Sequence, residues 1–226
     1  TMKILVIDQC SKAKKTPDVA GESESQQELP DMDGTRTYEA RILYEGRQQN
    51  FVSEATDILR ENGDEVDRFF ISAGYGLVEE TEELPQYNQT FTGLSDAEIQ
   101  KRSSELGIQE DILETLEKQY NLIFFVLGSN YYSSLDMEGV LEKIPEETIV
   151  VTFNGTEKAD EEQNHISIPA RTEEAKEQGT IVVALKGKYL RNFAEHRKRG
   201  ADIEDPNDVF EYCTTQPVTQ SDFEEY

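Results

Sequence analysis

The sequence predicts an α/β protein with a mainly parallel, twisted sheet and helices on both faces. Three observations lead to this fold class. Apolar runs of strand length recur along the chain, and segments whose apolar residues are spaced by three and four separate them. Such alternation is typical of parallel strands joined by crossover helices. A length of 226 residues fits one large domain or two small ones. We expect a single domain over residues 2–200 and an acidic C-terminal tail over 201–226, which docks or frays.

The first elements follow from local pattern. Residues 2–8 are rich in Ile and Val and predict the first strand. The polar segment 11–35 predicts a long surface loop. Apolar residues at helical spacing predict a helix over 37–62, ended by Asn62-Gly63. Residues 66–72 predict the second strand.

A capping-box pattern begins the second half. Ser95 with Glu98 predicts a helix that runs to about Tyr120, with a break at Gly107. A third strand is predicted over 121–127, a short helix around 133–144 and a fourth strand over 148–153. The region 154–179 is irregular, with a strand near 166–168. Residues 180–185 are a strand or the first turn of a helix, and a basic helix follows over 186–199, ended by Gly200.

The charge is the most unusual feature of the composition. The chain has 22 basic and 47 acidic residues and a net charge of −25 at pH 7. An acidic surface that mimics DNA or binds a partner is one interpretation. The other is adaptation to molar salt, where a Debye length of roughly 3 Å screens the repulsion. Because acidic residues occur in nearly every segment, we favour halophilic adaptation. This charge also disfavours nonspecific nucleic-acid binding.

The sequence predicts no metal site, no cofactor and no membrane span. Cys10 and Cys213 are too few for a disulfide scaffold or a zinc site, and His165 and His196 lie far apart in sequence. Without a signal peptide or a long apolar run, we expect a soluble, cytoplasmic protein.

Three unusual loops follow the first three predicted strands. Parallel strands joined by right-handed crossovers bring such loops to one edge of the sheet, where open α/β sheets bind their ligands. The loops begin with Cys10-Ser11-Lys12, Ser72-Ala73-Gly74-Tyr75-Gly76 and Gly128-Ser129-Asn130-Tyr131-Tyr132. We therefore expect them to converge.

Each loop has a functional and a structural interpretation. Ser11 and Lys12 could hold an anion and lower the pKa of the Cys10 thiol, or Cys10 is simply a small buried residue; no histidine supports a covalent role for it. The glycines near Tyr75 could admit a ligand to the backbone or form a tight turn. The helix start near Ser129 could bind an anion or be capped by a side chain.

Two further segments could reach the same edge. Arg41, Tyr44 and Arg47 fall on one predicted helical face, which either extends over the sheet edge or is solvated. Tyr87 and Asn88 follow the second loop closely enough to fold back onto it.

The basic helix suggests a separate surface. Residues 186–199 contain six of the 22 basic residues. They either follow a phosphate backbone or lie near the helix C-terminus because the macrodipole favours cations there. The candidates for nucleic-acid binding are Lys186, Lys188, Arg191, Arg197 and Lys198.

Four segments, around Tyr44, Ser72, Tyr87 and Gly128, resemble in order the YaaA-type peroxide-stress proteins. The resemblance covers roughly residues 3–135, and it implies an α/β fold and a suspected DNA-binding role. The segment Cys10-Ser11-Lys12 is more similar to uncharacterised relatives of that family and to a glycosylase-like domain of archaeal tRNA-modifying proteins. The chain lacks the family's Ser-Pro-Ala-Lys opening and its long basic insertion. The matching positions are Tyr44, Gly46, Ser72, Tyr75, Gly76, Tyr87, Gly128, Ser129 and Tyr132.

Two functions are therefore expected. In the first, the chain binds a nucleotide or a nucleic-acid base, which stacks on Tyr75, Tyr87 and Tyr132. If the protein also cleaves or forms a glycosidic bond, Asp8 is the candidate carboxylate for activating water. In the second, it is a noncatalytic stress or regulatory module that binds a macromolecule through the basic helix.

Overall fold

The computed structural model describes residues 1–15, 36–155 and 164–217. Much of the predicted loop at 11–35, part of the irregular region 154–179 and the end of the tail lie outside these residues. The strands are β1 (Lys3–Gln9), β2 (Thr37–Glu39), β3 (Glu65–Ser72), β4 (Gly76–Glu79), β5 (Glu83–Pro85), β6 (Leu122–Phe125), β7 (Ile149–Phe153) and β8 (His165–Ile168). The helices are α1 (Ala40–Leu43), α2 (Arg47–Glu61), α3 (Asp96–Leu106), α4 (Ile108–Thr115), α5 (Ser129–Ser133), α6 (Met137–Glu142), α7 (Thr172–Glu177), α8 (Val182–Lys198) and α9 (Pro206–Thr214).

The predicted α/β class and the mainly parallel sheet are confirmed. Within the described residues the main sheet has six strands in the order β4-β3-β1-β6-β7-β8, and only the β3–β4 pair is antiparallel. Strand β1 lies at the centre: Ile4 is opposite Val66 of β3 on one side and Leu122 of β6 on the other. The loops after β1, β3 and β6 therefore leave the same edge of the sheet.

The single helix predicted over 37–62 is not continuous: 37–39 form strand β2, 40–43 form the short helix α1, and α2 begins only at Arg47. Tyr38 of β2 is opposite Leu84 of β5 in a separate antiparallel pair, and both side chains are buried. After the short α1, the backbone of Tyr44 bridges to Lys14, and Gly46 starts α2 in an extended conformation. Tertiary pairing of these residues overrides their helical periodicity.

The second loop is a hairpin. Ser72 is opposite Gly76, and the residues after Gly76 return as β4, a strand that the sequence did not predict. Gly76 has φ of 80°, and a Cβ there would lie 3.0 Å from the Leu106 carbonyl oxygen, so this position requires glycine.

The predicted capping box and the break at Gly107 are confirmed. Ser95 and Glu98 bond each other's backbone N–H groups, and Gly107 has φ of 68° between α3 and α4. The short helix expected around 133–144 is two helices, α5 and α6, and residues 182–185 form the first turn of α8.

Two clusters of buried side chains form the core. Leu5 and Ile7 of β1 belong to one cluster and Ile4 and Val6 to the other, as the alternation of a strand requires. Helix α9 buries Val209 and Cys213 in the second cluster, so this part of the tail docks. Among the helices described, none is long and apolar enough to cross a membrane.

Helices α2 and α8 pack closely and run parallel. Gly187 of α8 lies against Gln48 and Phe51 of α2, and a Cβ at Gly187 would be 2.6 Å from the Gln48 carbonyl oxygen. One to two turns later, Arg191 pairs with Glu54 at 3.0 Å. Residue numbers increase together along both helices, so both begin at the same end of the molecule.

Candidate functional site

A pocket of about 350 Å³ lies at the edge of the sheet where β1 ends. The residues after β1, from Cys10 to Lys14, form one part of its lining, and the first turn of α2 forms another. The segment after Tyr87 and the start of α8 complete it through Gln89, Thr90, Thr92 and Val183. Its volume is in the range of small-molecule sites.

The charge of this lining is opposite to that of the protein. Lys12, Lys14 and Arg47 contribute three cations, and of the residues that the structure describes no carboxylate lines the pocket. Two larger surface hollows, of about 570 Å³ each, are lined by acidic residues such as Asp111 and Glu117. In a chain of net charge −25, a cationic pocket is a local exception that favours an anionic ligand.

Two helices also begin at the pocket. Gly46, Arg47, Gln48 and Gln49 are the N-cap and first turn of α2, and all four line it. Val183 brings in the first turn of α8. Neither helix has a side-chain cap or an acidic residue in its first turn among the described residues. Residues from the first turns of two helices thus meet at one pocket, and such helix starts carry a partial positive charge.

Gly46 explains how the chain reaches this arrangement. A Cβ at Gly46 would collide with the Gln49 side chain and lie 2.9 Å from Cβ of Ser11. The Gln49 amide donates to the Gln9 carbonyl oxygen at 2.9 Å, and Glu45 N–H donates to the Ala13 carbonyl oxygen at 3.0 Å. Glycine at this position allows α2 to start against the loop after β1.

The Cys10 thiol lies in the wall of the pocket and contacts Tyr131. The sulfur is 2.9 Å from the Tyr131 hydroxyl oxygen, and the same hydroxyl donates to the Cys10 carbonyl oxygen at 3.2 Å. Since a hydroxyl has one proton, its oxygen is left to accept from the thiol. Burial, with the Cys10 sulfur as a second cause, raises the pKa of Tyr131 well above its ordinary value, so its hydroxyl is neutral.

Behind this wall, three hydroxyl groups form a buried chain. The Tyr44 and Tyr87 hydroxyls are 2.5 Å apart, and the Tyr87 hydroxyl is 2.6 Å from Ser72 Oγ. Burial raises the pKa of both tyrosines. Ser72 Oγ also accepts the N–H groups of Gly74 and Tyr75 at 3.2 and 3.0 Å, so it holds the hairpin turn. These are residues that carry the family resemblance, and most of their polar groups serve the fold.

Lys14 connects the chain of hydroxyls to the pocket. Its ammonium group lies 4.8 Å from the centre of the Tyr87 ring and donates to the Ser11 carbonyl oxygen at 2.8 Å. Burial lowers the pKa of Lys14 from its ordinary value of 10.5, although the nearby Cys10 sulfur opposes this shift. A partly desolvated cation gains more from an anionic ligand than an exposed one does.

The structure does not bring every predicted site residue to the pocket. Cys10, Ser11, Lys12 and Gly46 line it, whereas the other predicted ligand contacts lie elsewhere. Tyr75 packs at right angles to Tyr87, 5.1 Å between ring centres, and its buried hydroxyl has no hydrogen-bond partner among the described residues. Asn88 is exposed, and Arg41 is exposed and pairs with Glu39 at 2.7 Å.

The third loop contributes a different tyrosine from those predicted. Tyr132 donates its hydroxyl to the Phe125 carbonyl oxygen at 2.8 Å and accepts from Phe153 N–H at 3.1 Å, so it joins β6 to β7. Gly128 N–H donates to Gln9 at 2.7 Å. Ser129 is exposed and, with Asn130, makes no side-chain cap on α5 in the described structure.

Asp8 is a structural residue. It is fully buried and pairs with the equally buried Arg68 at 2.8 Å. Its other oxygen accepts from the Gln48 amide and from Gln9 N–H, both at 2.8 Å. With both oxygens occupied, Asp8 does not have the free carboxylate that activating a water requires.

The cations of α8 do not form a continuous exposed stripe. Arg197 pairs with the buried Asp64 at 2.7 Å, Arg191 pairs with Glu54, and Lys188 donates to the Gln178 carbonyl oxygen. Lys186 is largely buried, which lowers its pKa, with Asp8 as the opposing charge. Lys198 is exposed.

Sequence reasoning missed several lining residues. The sequence pattern favoured Tyr132, whereas Tyr131 lines the pocket. It also did not indicate four glutamines of the lining, which are Gln9, Gln48, Gln49 and Gln89. A useful signal was present: a glycine directly before Arg47-Gln48-Gln49, with no acidic residue in the first turn, is a helix start without a cap.

Among the described residues, no group of three or more His, Cys, Asp or Glu side chains could hold a metal ion.

Comparison with known proteins identifies no relative: no family model matches the chain, and no curated protein matches it in sequence.

Proposed function

We propose that this protein binds a nucleotide, or a nucleic-acid base carrying a phosphate, in the pocket at the end of β1. The observation that carries the proposal is the charge of the pocket: three cations and two uncapped helix starts face it, and no described carboxylate does. Phosphate is one of the anions that helix N-termini commonly bind in proteins.

In this proposal the phosphate lies near the first turn of α2, within reach of Lys12, Lys14 and Arg47. The base occupies the part of the pocket lined by Tyr131, whose ring offers a stacking face. No reaction is assigned, because the oxygens of Asp8 are already occupied.

We also propose that the chain is a divergent relative of the YaaA-type proteins. Tyr44, Ser72 and Tyr87 carry that resemblance, and the hydrogen bonds between them support it. The two separate core clusters support a twisted sheet with helices on both faces. The alternative function, a module that binds a macromolecule through α8, is less favoured because ion pairs and burial engage most of its cations.

The test is calorimetric titration of AMP, ADP and ATP in 1 M KCl with charge-removing variants. We expect Lys12→Gln and Arg47→Gln each to weaken binding about fivefold, which corresponds to about 1 kcal/mol for one screened charge. Lys143→Gln and Arg41→Gln are matched controls, since both residues are exposed and neither lines the pocket.

The outcome separates the two functions. Absence of nucleotide binding, or equal losses in the variants and their controls, would refute the pocket proposal. Binding of a single-stranded oligonucleotide that Lys198→Glu abolishes and Lys12→Gln leaves unchanged would favour the macromolecule-binding alternative.

A further inference from the structure

Three consecutive large apolar residues are exposed at the start of α8, namely its N-cap and its first two residues. Val183 is 66% exposed, Ile181 45% and Val182 43%. None of them belongs to either core cluster of the described chain. Exposed apolar residues that occur singly are ordinary, but a contiguous group at the mouth of a pocket marks a site of contact.

Only Val183 of these three lines the pocket. It does so from the α8 side, whereas Lys12 and Lys14 come from the loop after β1. The lining of the pocket thus contains an apolar side chain, Val183, as well as the cations Lys12 and Lys14. A free inorganic anion would gain from the cations alone and would leave Val183 in water.

We infer that Val183 selects for the base of the bound nucleotide, which packs against it while the phosphate is held by the cations. A flat aromatic base linked to a phosphate has both an apolar face and a charged group, as the pocket has both an apolar residue, Val183, and the cations Lys12 and Lys14 in its lining. Tyr131, which lines the same pocket, provides an aromatic surface for the other part of the base. This inference rests on the proposed function and deepens it: Val183 determines specificity for nucleotides over simple phosphates.

The test compares ligands with and without a base. AMP, ribose 5-phosphate and inorganic phosphate are titrated into the full chain in 1 M KCl. We expect AMP to bind at least tenfold more tightly than ribose 5-phosphate, and Val183→Ser to remove most of that difference while leaving the affinity for ribose 5-phosphate unchanged.

Val182→Ser is the matched control, because it changes the same residue type in the same helical turn at a side chain that does not line the pocket. Val183→Ala, which favours the helix, tests the same contact if the serine variant folds poorly, and it should lower AMP affinity by about threefold.

Equal affinities for AMP and ribose 5-phosphate, or equal losses of AMP affinity in the Val182 and Val183 variants, would overturn the role of Val183 and leave the phosphate site standing. Failure of all three ligands to bind would instead overturn the proposed function, and this inference with it.

Discussion

The close contact of α2 with α8 gives the sharpest prediction, because it positions both uncapped helix starts. Replacing a glycine by alanine inside a helix ordinarily stabilises it by about 1 kcal/mol. At Gly187 the new Cβ would lie 2.6 Å from the Gln48 carbonyl oxygen and 2.8 Å from Cβ of Phe51. These neighbours are backbone and the root of a side chain, so neither can rotate away. The two helices must separate by roughly 1 Å to restore ordinary contact, and overpacking of this kind costs about 1–3 kcal/mol.

We therefore expect Gly187→Ala to destabilise the protein by about 1–2 kcal/mol, which for a chain of this size lowers Tm by roughly 3–6 °C. Nucleotide affinity should also fall, since Gln48, Gln49 and Val183 lie on the displaced helices. The assays are thermal unfolding in 1 M KCl and titration with AMP.

Gly139→Ala is the matched control. Its new Cβ would meet the Asp136 carboxylate at 2.6 Å, and that side-chain end can move, although it then loses its cap on the Gly139 N–H. The higher helix propensity of alanine offsets the loss of the cap to within about 1 kcal/mol. We expect this variant to keep its Tm within about 2 °C and its affinity unchanged. If Gly187→Ala is as stable as the unmodified protein, the two helices do not approach as described, and the argument for a shared anion site fails.

Four further predictions follow from the buried pair, the desolvated lysine, the two cysteines and the net charge. Asp8→Asn should lower the free energy of unfolding by about 3–5 kcal/mol because it leaves the Arg68 charge buried and unpaired. The control Asp67→Asn, at an exposed ion pair, should lower it by under about 1 kcal/mol. Chemical denaturation measures both values, and similar losses would contradict the burial of Asp8. The protonated form of Lys14 binds an anion, and burial lowers its pKa from 10.5. Nucleotide affinity should therefore decline as pH rises, beginning below pH 10.5, and Lys14→Arg should postpone the decline; a flat profile argues against Lys14 as a contact. Iodoacetamide should modify Cys10 slowly, and AMP should protect this thiol because it lies in the pocket. Cys213 is fully buried, which raises its pKa, and it should react only on unfolding. Peptide mass spectrometry measures both reactions, and a result in which Cys213 is labelled first would contradict the placement of both thiols. Raising KCl from 0.2 to 2 M should raise Tm if the net charge of −25 is an adaptation to salt, and an unchanged or lower Tm would argue against halophily.

The strands were predictable because their burial is local in sequence. The runs that became β1, β6 and β7 are mainly apolar, and β3 contains the apolar run 69–71; strands buried on both faces have this composition. The same holds for the capping box at Ser95, where the side chain and the N–H that it bonds are three residues apart.

The part of the chain over residues 37–46 could not be predicted in the same way. Tyr38 forms a strand only because Leu84 lies opposite it, 46 positions later by their numbers, and Gly46 starts α2 only because Ser11 and Gln49 pack against it. Helical periodicity in this segment was genuine, but it was outweighed by contacts that a local pattern does not contain.

The site was predictable to the level of a sheet edge. Ser11 and Lys12 follow a strand directly, so topology alone placed them at the ligand-binding edge. Topology does not say which side of a short helix faces inward, and this is why Tyr132 was chosen over Tyr131. Nor does it reveal that α2 and α8 start together, since those helices are more than one hundred residues apart.

The central place of β1 has a consequence for how the chain folds during synthesis. Lys3–Gln9 emerges from the ribosome long before Leu122–Phe125, which is one of its two neighbours in the sheet. Until that later strand is made, one edge of β1 exposes its unpaired amide and carbonyl groups to any extended peptide nearby. The nascent protein therefore passes through an interval in which this central strand is paired on one side only, and a chaperone that covers short hydrophobic stretches would act on it there.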